Sequence, residues 1–227
     1  MLKRILSTSS MILSNLFASN NLEASLIPSY NATKSAIPIS IAKQMRQYTW
    51  RPDCPVALKD LSYLRMSIWG FDHAPHEGEL IVHKNVADEV IAIFKQLYEQ
   101  RFPIERMQLM EVFQGDDEAA MSVNNTSAFN CRMITNKPGQ FSLHSYGVAI
   151  DINPLLNPYV KGAQVLPQAG QVYTDRSKVV PGMIVRHGLV YNLFVAQGWQ
   201  WGGDWQTRQD YQHFEKPAVV HQAGGAR

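Results

Sequence analysis

The stretch Ser142-Leu143-His144-Ser145-Tyr146-Gly147-Val148-Ala149-Ile150-Asp151-Ile152-Asn153-Pro154 constrains this chain more than any other. Val148, Ile150 and Ile152 alternate with Ala149, Asp151 and Asn153, which is the period of a half-buried strand, so Asp151 faces away from the apolar side. Pro154 has no amide hydrogen to continue a ladder and ends the pairing. Upstream, Ser142 and His144 stand two apart and share a face if extended, and a turn at Gly147 lets His144 and Asp151 meet. About sixty residues later, Asp210-Tyr211-Gln212-His213-Phe214-Glu215 supplies a second polar group, with His213 and Glu215 on one face of an extended segment and Phe214 packing inward.

Taken singly, each of these residues has an ordinary explanation. A lone His is usually a surface or satisfied core residue, and an Asp at a strand end is often a cap. Taken together they offer two imidazoles and a carboxylate to one metal ion, with Asp210 as a spare carboxylate beside the last imidazole. Three protein ligands, an open position for water and a neighbouring base are what a hydrolytic zinc centre requires. Two His and one carboxylate also describe non-haem iron sites. The seven-residue step from His144 to Asp151 is unlike the short His-x-Asp step of the familiar oxoglutarate enzymes, and Asp210 suits hydrolysis better.

The pattern Ser-x-His-x6-Asp followed by Asp-x-x-His resembles the M15 metallopeptidases. That family includes zinc D-alanyl-D-alanine carboxypeptidases, dipeptidases and phage endolysin peptidases, and it is related in fold to the hedgehog signalling domain. The likeness is strong over about residues 110–216, looser over 65–110 and absent from the first 60. Because the spare carboxylate is Asp210 and not Glu, the chain looks closest to the endopeptidase-type branch. The resemblance implies an α+β fold, with helices packed on a small, mostly antiparallel sheet carrying one zinc ion. It implies His144, Asp151 and His213 as ligands, Asp210 as general base, Ser142 as a substrate contact and Arg132 as the cation that stabilises the reacting carbonyl oxygen. The permanent charge and planar fork of Arg132 suit that role; without the resemblance it reads as a surface ion-pair partner. The implied substrate is the stem peptide of bacterial peptidoglycan, cut at L-alanyl-D-glutamate or D-alanyl-D-alanine bonds. The alternative is a catalytically silent, zinc-containing recognition module of the same fold. The joint presence of Asp210, Arg132 and Ser142 favours catalysis.

The rest of the chain bounds these readings. A hydrophobic fraction of 45% and a charged fraction of 18% describe a globular protein. The net charge of +2, with scattered Lys and Arg, speaks against nucleic acid. No apolar run is long enough for a membrane span in the mature chain. Lys3 and Arg4 ahead of Ile5-Leu6 and Met11-Ile12-Leu13 read as a candidate signal peptide over 1–24, hence export to the periplasm or exterior. Residues 25–60 read as an N-terminal extension or linker, 61–216 as the catalytic domain and 217–227 as a tail. Cys54 and Cys131 form either one bridge or two buried thiols.

Periodicity predicts a helix over 86–98, with Val86, Val90, Ile93, Phe94 and Leu97 on one face. It also predicts a strand over 107–113, a polar loop over 114–127 and a helix over 183–197 stopped by Gly198. Among Trp199, Trp201 and Trp205, at least one belongs in the core and one at a cleft. The His73-Ala74-Pro75-His76 pair reads as loop.

Overall fold

A computed structural model describes residues 28–134 and 137–220. The candidate signal segment and residues 221–227 lie outside the described residues. The unit that carries the site begins at Asn31. Its elements in chain order are β1 (Ala32–Ala36), α1 (Ile39–Tyr48), β2 (Leu61–Trp69), β3 (Pro75–His83), α2 (Ala87–Glu99), α3 (Asp117–Ser122), β4 (Met133–Ile134) and β5 (Lys137–Phe141). There follow β6 (Ala149–Asp151), β7 (Tyr159–Lys161), β8 (Gln164–Leu166), α4 (Leu189–Ala196), β9 (Gln200–Trp201), β10 (Gln209–Asp210) and β11 (His213–Glu215). The class is α+β, and every pairing between these strands is antiparallel.

The first sheet has the order β1-β2-β3, with Tyr63 opposite Ile81 and Leu64 opposite Leu80. Alternation sends the two sets of side chains to opposite faces. Leu61, Tyr63 and Ile81 join Met45, Val56, Leu109, Phe129 and Cys131 in one core cluster. Helix α2 packs on β2 and buries Val90, Ile93, Phe94 and Leu97, the face that its 3.6-residue period predicts. Burying each such side chain contributes roughly 1.5–3 kcal/mol.

The second region holds two short sheets, β10-β7-β8 and β6-β11-β9. In the latter, His213 stands opposite Asp151 and Phe214 opposite Ile150, so one strand pair brings a predicted ligand from each half of the motif face to face. Phe214 is fully buried and stacks on Phe194 of α4 with centroids 4.2 Å apart. This stack anchors the inner face of β11 and leaves His213 and Glu215 on the other.

Several expectations are corrected. The linker reading of 25–60 fails from Ala32 onward: β1 pairs with β2 over five residues, and α1 sends Met45 into the core. A disulfide joins Cys54 to Cys131, Cα atoms 6.0 Å apart, and ties this segment to the site region. Residues 107–113 are no strand, because the alternation breaks where Leu109, Met110 and Glu111 are buried in succession and Met110–Phe113 forms a 3-10 turn. The loop 114–127 contains α3, whose first amides at Glu118 and Ala119 donate to the Asp116 carboxylate. The helix expected over 183–197 spans only α4. Ahead of it, Gly188 is extended, and Ile184 is held in a loop by its amide donating to Asn157 Oδ1 at 2.7 Å. Pro75 opens β3, so His76 lies on a strand rather than a loop.

Candidate metal centre

His144 belongs to a single 3-10 turn, Leu143–Tyr146, and not to the extended segment that its spacing from Ser142 implied. Ser142 caps the turn by accepting the His144 amide, and Gly147 closes it in the left-handed region at φ 69°. A side chain at Gly147 would meet the His83 amide nitrogen at 2.6 Å, and that amide donates to the Gly147 carbonyl at 2.7 Å. The turn is thereby pinned to the end of β3. Five residues past His144, β6 begins, and Asp151 exchanges both backbone hydrogen bonds with Ser127, each 2.9 Å.

The result is a convergence of His144, Asp151 and His213, whose ligating atoms all lie within 4.8 Å of one another. His144 Nε2 is 3.2 Å from both His213 Nδ1 and Asp151 Oδ2, and His213 Nδ1 is 2.9 Å from Asp151 Oδ1. The outward nitrogens are spoken for. His144 Nδ1 lies 2.6 Å from the Ala128 carbonyl oxygen, and His213 Nε2 lies 3.0 Å from Glu215 Oε2. Both oxygens only accept, so these nitrogens carry protons, and the inward ones, Nε2 of His144 and Nδ1 of His213, are those that would ligate a metal. This set of two imidazoles and a carboxylate fits zinc. Glu215 shares the face of His213 as alternation predicts, but its grip on the ring emerges only in the fold; nothing in the sequence marks the Ala128 carbonyl.

The electrostatics point the same way. Burial by itself raises the Asp151 carboxyl, yet the His144 and His213 rings outweigh it and hold the group far below the ordinary carboxylate range. Burial opposes charge on His213, but the hydrogen bonds to Asp151 and Glu215 push its pKa up to about 10, so a proton sits on Nδ1 in the metal-free site and a bound metal would take its place. A cluster of carboxylates around two imidazoles thus attracts positive charge to the point where the three ligands meet.

Asp210 stands beside this point. A Cβ placed on Gly202 would meet Asp210 Cβ at 2.8 Å and His213 Cβ at 3.3 Å, so both residues flank the same glycine. Asp210 Oδ1 is buried and, among the described residues, has no hydrogen-bond partner. Burial pushes its pKa up to about 6, against the pull of His213 and with a further push from Asp151. Arg132 lies alongside through its backbone: its amide donates to Ser145 Oγ at 2.9 Å, and its carbonyl accepts from the Ser142 amide at 3.0 Å. Its guanidinium Nε pairs with Asp117 of α3, which also accepts from Asn130 Nδ2 at 2.8 Å. Ser142 is 8% exposed and serves as the cap described above. Trp199 and Trp201 are buried, whereas Trp205 is half-buried with its ring 5.5 Å from that of His213.

Residues 135–216 match the family model described as D-alanyl-D-alanine carboxypeptidase, an M15 peptidase family. No solved structure matches the chain. The matched segment contains His144, Asp151, Asp210 and His213, and it begins just after Arg132. The match thus spans all three residues of the candidate metal centre and Asp210, and it supports an M15-type peptidase while leaving the branch unspecified.

Proposed function

We propose that this protein is a zinc metallopeptidase that cleaves peptide bonds in bacterial cell-wall stem peptides outside the cytoplasm, as an endopeptidase or a D,D-carboxypeptidase. The observation that carries the reading is the three-ligand convergence with a partnerless, buried carboxylate oxygen of Asp210 beside it. His144 Nε2, His213 Nδ1 and Asp151 would hold the zinc. When bound, zinc supplies a Lewis acid and makes water nucleophilic near neutral pH. Asp210 takes the proton from the attacking water at its carboxylate oxygen and returns it to the departing amine. Arg132, whose Nε is engaged by Asp117, stabilises the developing oxyanion through its remaining guanidinium nitrogens. Ser142 contacts substrate at the edge of the turn that holds His144. The disulfide Cys54–Cys131 supports an oxidising compartment.

The test is mass spectrometry of peptidoglycan fragments incubated with the zinc-loaded protein and with Asp210→Ala. Products should appear with the wild type, and their masses name the bond. Asp210→Ala should slow cleavage by about 100- to 10,000-fold, and Arg132→Ala by about 100- to 1000-fold, with zinc content unchanged in both. Absence of cleavage by a folded, zinc-loaded wild type would overturn the peptidase reading and favour a recognition role.

A further inference from the structure

Four arginines surround the second region, and three of them are already engaged. Arg132 pairs with Asp117, and Arg186 pairs with Asp204 at 2.6 Å. Arg176 donates to the carbonyls of Leu156, Tyr173 and Ile184 and to Asn157 Oδ1. Arg208 differs. Among the described residues it has no carboxylate or carbonyl partner, and its guanidinium instead lies 4.2 Å from the centroid of the Trp205 ring. Trp205 in turn leans on His213 at 5.5 Å, so two ring contacts connect this cation to a ligand of the metal centre.

Arg208 immediately precedes β10, two residues before Asp210. Tyr159 stands opposite Asp210 across the β10–β7 pair, and its hydroxyl senses both charges: burial raises its pKa, Arg208 lowers it and Asp210 raises it. An Arg stacked on an aromatic face is pre-ordered, and its edge nitrogens remain free to fork onto a planar anion.

We propose that Arg208, held on Trp205, is a specificity-determining residue that binds a free carboxylate of the peptide substrate beside the metal centre. The inference rests on the peptidase reading for the identity of the ligand as a peptide. Two sources supply that carboxylate: the C-terminus of a peptide ending in D-alanyl-D-alanine, or the free carboxylate of an internal D-glutamyl residue. A terminal anchor makes the protein a carboxypeptidase, and an internal one makes it an endopeptidase.

Calorimetry on the full-length zinc-loaded protein tests this, using two synthetic stem-peptide fragments, each prepared with a free carboxylate or a carboxamide at one of the two positions. The wild type should prefer the free acid at one position by about 10- to 100-fold, the worth of a charge-assisted hydrogen-bond pair. Arg208→Gln should reduce that preference below about threefold with zinc content and melting temperature unchanged, and Arg208→Lys should retain part of it. The position at which the preference disappears identifies the source. A wild type indifferent to amidation, or an Arg208→Gln protein that keeps the wild-type preference, overturns the proposal. Binding is read without turnover, so the two readings fail separately. An Arg208-dependent preference without any cleavage sinks the peptidase and leaves the anchor. Cleavage with an Arg208-independent preference sinks the anchor alone.

Discussion

His213 can present only one nitrogen to a metal, and Glu215 decides which. By accepting from Nε2 at 3.0 Å it leaves Nδ1 facing Asp151 and His144, and it raises the basicity of the ring. Glu215→Ala should weaken zinc binding by about 10- to 100-fold, whereas Glu215→Gln, which still accepts through its amide oxygen, should lose less. Competition against a chromophoric chelator measures both, and equal zinc affinity in Glu215→Ala and wild type would reject the role. Glu111 provides a second case of chemistry at a single side chain. It is 7% exposed, accepts from the Thr49 hydroxyl and lies near Glu79. Burial raises its pKa, the Thr49 hydrogen bond offsets part of the rise, and Glu79 adds to it. The folded state therefore holds this proton more tightly than the unfolded chain does. The associated stability is present below the unfolded carboxyl pKa and is lost as pH rises through the higher folded value. Glu111→Gln should flatten that loss and be the more stable protein at neutral pH, as urea unfolding at a series of pH values will show. Glu111 was legible only as the polar member of an apparent strand, since nothing in Met107-Gln108-Leu109-Met110-Glu111 signals that the chain turns and buries it.

Short elements carry most of the site, and they divide sharply in how far sequence announces them. β6 and β11 were legible because alternation over Val148–Asn153 and His213–Glu215 is a tertiary burial pattern written directly in residue order. α2 was legible for the same reason at a period of 3.6. The 3-10 turn Leu143–Tyr146 and the six-residue α3 were not, because a single turn has too few residues to display a period. They are held instead by capping side chains at Ser142 and Asp116 and by partners distant in sequence. Gly147 is where this dependence is greatest. A left-handed non-glycine residue costs about 1–2 kcal/mol, and a Cβ there also drives into the His83 amide at 2.6 Å. Gly147→Ala should lose at least that much stability in denaturant unfolding and, by displacing His144, weaken zinc binding as well. A variant with wild-type zinc affinity would show that the turn does not set the position of the ligand.

At the scale of the whole molecule, the region before β2 proves to belong to the fold. Its strand, its helix and the bond from Cys54 to Cys131 join it to the chain segment immediately ahead of Arg132. With the two cysteines 77 positions apart in sequence, the bridge removes much freedom from the unfolded chain, and disulfides of this kind contribute about 2–5 kcal/mol. The double variant Cys54→Ser/Cys131→Ser should lose stability in that range, and reductant should destabilise the wild type but not the variant. Unfolding curves insensitive to reductant would show that the bridge contributes nothing. β1 escaped sequence reading because Ala32-Thr33-Lys34-Ser35-Ala36 is an edge strand exposed on most of its length, and α1 because it buries only Ala42 and Met45. What sequence alone marked out in this protein is the candidate ligand set His144, Asp151 and His213 with Asp210 nearby, the α+β class and the long helix, since residue type and burial period are properties of the chain itself. Tertiary structure alone decided which imidazole nitrogens face the metal point, that Asp117 occupies one edge of Arg132, and that Arg208 stacks on Trp205. Each of these depends on a partner that folding, and not sequence proximity, brings within hydrogen-bonding or stacking distance.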